Sequence, residues 1–315
     1  MKEKDIRLHL LRWLFMFGVL IHHSRFVSRY NPNTLEWIDL LQKLSGGCVV
    51  GFFAISGYLA AHSRHMTEFV RRRAVRLIVP YVACSTLMFV ASTVVLAIYP
   101  ITAGGADCRL FAKNLLLGQG YGPQYYYLFY LFCIEIGFHP AIKLGLTLHV
   151  FLLAFIAALV TTLACKMRIF PVGPELSNVP CYCLSYLGGS LLRHRYCISR
   201  SKVTAMAALV LTALVVAGFS GQTYWLQVFS PIALWGLVYW IPSQQHQLSW
   251  LLALNPGAVY LWHTPIVMPA CSVILERIGI DEMFNCWLTI LAAIVLSLLF
   301  DKLLSYIPYG RYVRL

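Results

Sequence analysis

Runs of apolar residues recur near residues 8–28, 46–61, 77–99, 124–138, 141–165, 178–192, 203–217, 223–241, 251–272 and 284–304, with short polar connections between them. Such runs match helices that cross a hydrocarbon layer about 30 Å thick, where each segment must satisfy its own backbone polar groups. The pattern predicts an all-α polytopic membrane protein, a bundle of about ten transmembrane helices. It forms one integral-membrane domain over residues 1–315, without a separate soluble domain. The shorter runs require tilt, local bilayer thinning or burial inside the bundle. Gly46, Gly47, Gly51 and Gly57 mark where the second run is open to a break. A polar stretch and many further runs follow the first one, which reads as a retained span and not a cleaved signal.

Composition and charge refine this picture. Hydrophobic residues make up 59% of the 315 positions and charged residues 12%. With both termini cytoplasmic, most of the 25 lysines and arginines collect on that side, against only Glu3, Asp5, Glu68 and Asp301, as the positive-inside rule requires. A basic face toward membrane lipids accounts for most of the net charge of +13 without nucleic acid as a partner. Trp37, Tyr99, Tyr121, Trp250 and Tyr306 near span ends read as interfacial anchors. The ten cysteines fall mostly inside apolar runs as small buried hydrophobes; Cys181-Tyr-Cys183 has the wrong spacing for a redox pair, and no metal site is expected.

Polar groups inside apolar runs carry the candidate chemistry. "RWLFMFGVLIHH" begins with Arg12 and closes on His22 and His23. Eleven residues separate Arg12 from His23, about 1100° and about 16 Å along an ideal helix, so both lie on one face near opposite membrane boundaries. Arg12 fits a side chain snorkelling to headgroups as well as one serving a reactant, and His23 fits an interfacial marker as well as a proton acceptor working near neutral pH.

"GGCVVGFFAISGYL" supplies Gly51 and Gly57 for close helix approach, with Ser56 as a small polar contact. In "HSRHMTEFVRRRAVRLIVPY", Arg71, Arg72, Arg73 and Arg76 form a cationic strip suited either to lipid headgroups or to the phosphates of a nucleotide-containing donor. "GPQYYYLFYLFCIEIGFHP" holds Tyr126, Tyr127 and Tyr130, which suit interfacial anchoring or a sugar-binding surface. The same run contains Glu135, which within a helix bundle requires protonation, a cationic partner or a wet boundary. In "NPGAVYLWHTPIVMP", Asn255-Pro256-Gly257 suits a helix start, and Pro265 releases a backbone carbonyl about one turn earlier for polar contacts near Tyr260 and His263. His263 fits either ordinary hydrogen bonding within the bundle or a network supporting a reaction.

Four of these stretches together resemble the integral-membrane acyltransferase 3 family: an arginine eleven residues before a histidine, "FFAISGYL", arginines followed by proline, and "YLWHTP". The family usually has an aspartate three residues before the arginine, where this chain has His9, and its middle signature carries His and Trp where this chain has tyrosines. The resemblance implies transfer of an acyl group, most commonly acetyl, from cytoplasmic acyl-CoA to a carbohydrate or lipid-linked glycan of the cell envelope. It further implies a multi-pass protein of the bacterial cytoplasmic (inner) membrane, with acetyl-CoA as cosubstrate and no tightly bound cofactor. His23 is the expected general base, Arg12 the charge-stabilising partner, Arg71, Arg72, Arg73 and Arg76 the donor-phosphate group, and Tyr127, Glu135, Tyr260 and His263 supporting residues. Polar residues in broken membrane helices also fit a transporter or flippase for a lipid-linked sugar or small envelope metabolite.

Overall fold

The computed structural model describes residues 6–24, 45–60, 65–98, 107–119, 124–166, 174–195, 236 and 253–308. The described residues are helical and contain no strand. In order, the helices are α1 (Ile6–His23), α2 (Cys48–Leu59), α3 (Met66–Arg73), α4 (Val79–Ile98), α5 (Cys108–Leu116), α6 (Tyr126–Lys143), α7 (Thr147–Lys166), α8 (Pro174–Arg195), α9 (Pro256–Trp262), α10 (Met268–Arg277) and α11 (Glu282–Leu304). A π-turn, Ala74–Ile78, joins α3 to α4, and another, His263–Val267, joins α9 to α10. The expected spans 203–217 and 223–241 lie outside the described residues apart from Gly236. Among the described residues, two helical stretches, Met66–Thr93 and Phe284–Leu304, are long and apolar enough to cross a membrane.

The chain divides into two compact units. The first contains α1 as far as His22, α2, α6 from Ile134, α7 and α8. Glycine positions set its close packing: a Cβ on Gly57 would strike the Tyr186 carbonyl, and one on Gly189 the Ala54 carbonyl, so α2 and α8 touch backbone to backbone. Phe53 and Tyr182 stack across the same contact with ring centroids 4.5 Å apart. Gly51 faces the Phe15 ring and Gly18 the Cys48 sulfur, which seats α1 on α2. Gly51 and Gly57 thus serve close approach while α2 runs unbroken from Cys48 to Leu59; only Gly46 and Gly47 lie in a turn.

The second unit contains His23 and Ser24, α3, α4, α5, α6 as far as Cys133, and α9 to α11. Helix α5 occupies a stretch that hydropathy reads as loop. Asp107 caps its start by accepting from the Arg109 backbone N–H at 2.8 Å, and Gly118, at φ +78°, ends it in the left-handed conformation that favours glycine. The Tyr81 hydroxyl donates to the Leu115 carbonyl at 2.9 Å, and Phe89 stacks on Phe111 at 4.3 Å, tying α4 to α5.

The helical stretch containing α4 begins at Met66, well before the apolar run at 77–99, because "MTEFVRRR" carries a Glu68–Arg72 pair at helical spacing that hydropathy does not register. Pro80 therefore lies inside continuous helix and not at its start. Lacking an N–H, it cannot donate to the carbonyl four residues back; the π-turn just before it, closed by Val79 N–H on the Ala74 carbonyl, widens the helix there.

Helix α11 buries Cys286, Ile290, Ala293 and Ser297 and leaves Leu291, Val295, Leu299 and Leu303 exposed along the opposite side. Asn285 donates to the Ser272 carbonyl at 3.1 Å and accepts from Thr289 at 3.0 Å, holding α10 and α11 together.

Candidate active site

The site grows from the broken helix between α9 and α10. Asn255 accepts from the Gly257 backbone N–H at 3.1 Å and Pro256 follows, giving α9 a capped start. The helix then meets Pro265, whose ring disfavours the helical conformation for the residue before it. Thr264 accordingly leaves the helix, at φ −127° and ψ 159°. Pro265 also has no N–H for the Leu261 carbonyl, and the Tyr125 hydroxyl donates to that carbonyl instead, at 3.1 Å. The Thr264 carbonyl accepts from Gln124 Nε2, and the Tyr260 hydroxyl donates to the Gln124 backbone carbonyl. Residues 124 and 125, just before α6, thus hold the kink at three points.

His263 sits at the centre of this arrangement, fully buried. Its Nδ1 lies 2.9 Å from the carbonyl oxygens of both Val259 and Tyr260. A carbonyl can only accept, so Nδ1 carries the hydrogen and, in the neutral ring, Nε2 keeps the lone pair. The Thr264 hydroxyl lies 3.5 Å from that nitrogen, as a donor at the limit of hydrogen-bond reach.

The His23 ring, half-buried at the end of α1, stands beside His263 with centroids 5.2 Å apart and planes tilted by 53°. His22 is exposed. Tyr260, itself buried, lies 6.1 Å from the His263 ring and meets Tyr127 edge to face at 5.4 Å. His23, His263, Tyr260 and Tyr127, which are scattered through the sequence, are therefore collected within the second unit.

Arg12, half-buried on α1, and Glu135, 1% exposed on α6, belong to the first unit. Arg71 and Arg72 are exposed on α3, as is Arg76 on the following π-turn, and Arg73 is half-buried with its guanidinium 5.4 Å from the Phe69 ring centroid. Arg72 pairs with exposed Glu68. His9, at the position where the family usually carries aspartate, is buried on α1. No group of three or more His, Cys, Asp or Glu among the described residues could hold a metal ion.

Sequence reasoning missed Gln124 and the particular role of Tyr125. The signal for Tyr125 lay in the Leu261 carbonyl that Pro265 releases, which required a donor from elsewhere in the chain; Gln124 meets the Thr264 carbonyl and had no such signal. Gln124 is 3% exposed, and its Oε1 has no hydrogen-bond partner among the described residues.

The described residues are helical, and within the second unit the half-buried His23 stands beside the buried His263. The family model described as an acyltransferase domain, of the acyltransferase 3 type, matches residues 5–301, nearly the whole chain, and the protein belongs to that family. Comparisons with curated proteins and with solved structures found no match.

Proposed function

We propose that this acyltransferase is a multi-pass enzyme of the bacterial cytoplasmic (inner) membrane that moves an acetyl group from acetyl-CoA to a hydroxyl of an envelope carbohydrate or lipid-linked glycan. The observation that carries the reading is the approach of His23 to His263. It joins the arginine-to-histidine motif of the first helix to the "YLWHTP" motif far along the chain. Two separate parts of the family resemblance thus supply neighbouring rings, His23 half-buried and His263 buried. Leucine-rich exposed sides on α11 and α7, including Leu291, Leu299, Leu152 and Leu153, support a lipid-facing exterior, and about ten spans with both termini cytoplasmic are proposed from the recurrence of apolar runs and the distribution of lysine and arginine.

In this mechanism His23 accepts the proton of the acceptor alcohol as its oxygen attacks the thioester carbonyl. The new C–O bond forms, the C–S bond breaks, and the leaving CoA thiolate takes the proton that His23 accepted, which returns His23 to its neutral form. Arg12 stabilises negative charge along the donor's path, and Arg71, Arg72, Arg73 and Arg76 hold its phosphates. Tyr260 and His263 order the surroundings of the base, Tyr127 offers an aromatic face to the sugar, and Glu135 balances positive charge. No cofactor is required beyond the donor.

The test is isotopically labelled acetyl-CoA supplied to the protein in lipid, with a panel of envelope glycans. Label should reach a glycan hydroxyl with release of free CoA, and His23→Ala should lower the rate by about 10²- to 10⁴-fold while the protein stays folded. Unchanged transfer in that variant removes His23 as the base. Movement of a glycan across the bilayer without need for donor would favour the transport reading.

A further inference from the structure

We infer that Gln124 and Tyr125 are positioning residues for the histidine pair: they hold the Thr264–Pro265 kink in the shape that fixes the tautomer of His263, the ring that neighbours His23, with the hydrogen on Nδ1 and the lone pair on Nε2. This deepens the acyltransferase reading and rests on it. The geometry is specific. Gln124 uses its side-chain Nε2 on the Thr264 carbonyl and its own backbone carbonyl for the Tyr260 hydroxyl, while Tyr125 occupies the Leu261 carbonyl. These partners bracket His263 on both sides in sequence. The two carbonyls that fix His263 Nδ1 belong to Val259 and Tyr260, on the turn that the Gln124–Tyr260 contact anchors.

Without the clamp, a straighter helix would return the Tyr260 carbonyl to the backbone ladder. His263 Nδ1 would then lose one of its acceptors and the ring would be free to turn.

The readout is magnetic resonance of isotope-labelled histidine ring nitrogens in the full-length protein in lipid nanodiscs, with the His263 signal assigned by its loss in His263→Gln. In the unaltered protein His263 should show a protonated Nδ1 and a bare Nε2. Gln124→Met, which keeps the length of the side chain, and Tyr125→Phe, which removes one hydroxyl, should each convert this into a mixture of tautomers. In the labelled-acetyl assay the same variants should lower kcat by about 10²-fold for Gln124→Met and about tenfold for Tyr125→Phe, with the KM for acetyl-CoA changed less than about threefold.

A His263 signal that is unchanged in both variants overturns the inference, as does a bare Nδ1 in the unaltered protein. Full kcat in variants whose tautomer has changed overturns it too. Should the unaltered protein transfer no label, the proposed function fails while the ring-nitrogen signals still decide the positioning role.

Discussion

The two π-turns among the described residues are built on the same defect and differ in what surrounds them. Each lies at a proline that cannot donate to the helix, Pro80 after Ala74–Ile78 and Pro265 within His263–Val267. Around the first, the flanking residues Arg73, Ala74 and Val79 keep helical angles, and the surface carries exposed Arg71, Arg72 and Arg76. At the second, Thr264 leaves the helix altogether, and side chains from residues 124 and 125 take up the released carbonyls. A proline in a helix therefore does not by itself make a site. What matters is whether buried donors are there to convert a lost backbone bond into a fixed shape, because an unclaimed buried carbonyl is costly.

The largest effect that separates the two turns should come from restoring the missing N–H. Pro265→Ala lets residue 265 donate to the Leu261 carbonyl in competition with Tyr125, and frees Thr264 to return to helical angles. The rate of acetyl transfer should fall by about 10²-fold, since a displacement near 1 Å at a reacting group costs that much. Pro80→Ala should change the same rate by less than about threefold. Equal losses in the two variants would break the comparison and make both turns part of one rate-determining arrangement.

How far the sequence showed this in advance differs between the two turns for the same physical reason. Hydropathy found the apolar runs, and the proline rule pointed to a released carbonyl near Tyr260 and His263. Spacing and resemblance picked out Arg12, His23 and His263 before any geometry. Gln124 was invisible because a glutamine's importance depends on which carbonyl it meets across 140 residues of chain, and nothing in local periodicity encodes that meeting. Helix α3 was equally invisible to hydropathy, since its stability draws on the Glu68–Arg72 pair and not on apolar content. Helix α5 escaped for a different reason: it is short and amphipathic, its apolar residues interrupted by Arg109, Lys113 and Asn114, so it makes no continuous apolar run, and its end signals, Asp107 and Gly118, are single residues.

A middle-sized effect should appear in stability at the second turn. Tyr260→Phe removes the hydroxyl donor from the buried Gln124 carbonyl and leaves it only the longer contact from the Tyr127 backbone N–H at 3.5 Å, at a cost of about 0.5–1.5 kcal/mol. The thermal midpoint in lipid nanodiscs should drop by several degrees. Arg71→Ala, on an exposed position at the first turn, should leave it unchanged within about one degree, since surface substitutions away from special features stay within about 0.5 kcal/mol. In donor binding the order reverses. Arg71→Ala and Arg76→Ala should each raise the KM for acetyl-CoA about two- to fivefold, more at low salt than at high, while Tyr260→Phe should affect kcat more than KM. Salt-independent KM values in the arginine variants would detach the strip from the donor's phosphates.

The smallest effect is expected at Glu68, and its sign is informative. Glu68 and Arg72 form an exposed pair one helical turn apart, with 48% and 74% of their side chains accessible, so water and salt screen most of their attraction. If the pair only stabilises α3, Glu68→Gln releases the Arg72 guanidinium for donor phosphate, and the KM for acetyl-CoA should fall by less than about twofold, with the difference vanishing at high salt. If Glu68 instead holds Arg72 in the orientation that phosphate requires, the same substitution raises KM, and the increase persists when Arg71 is also replaced. We expect the fall: Arg71 and Arg76 leave cationic charge on the same exposed surface, and a carboxylate among these guanidiniums competes with the anion they would bind.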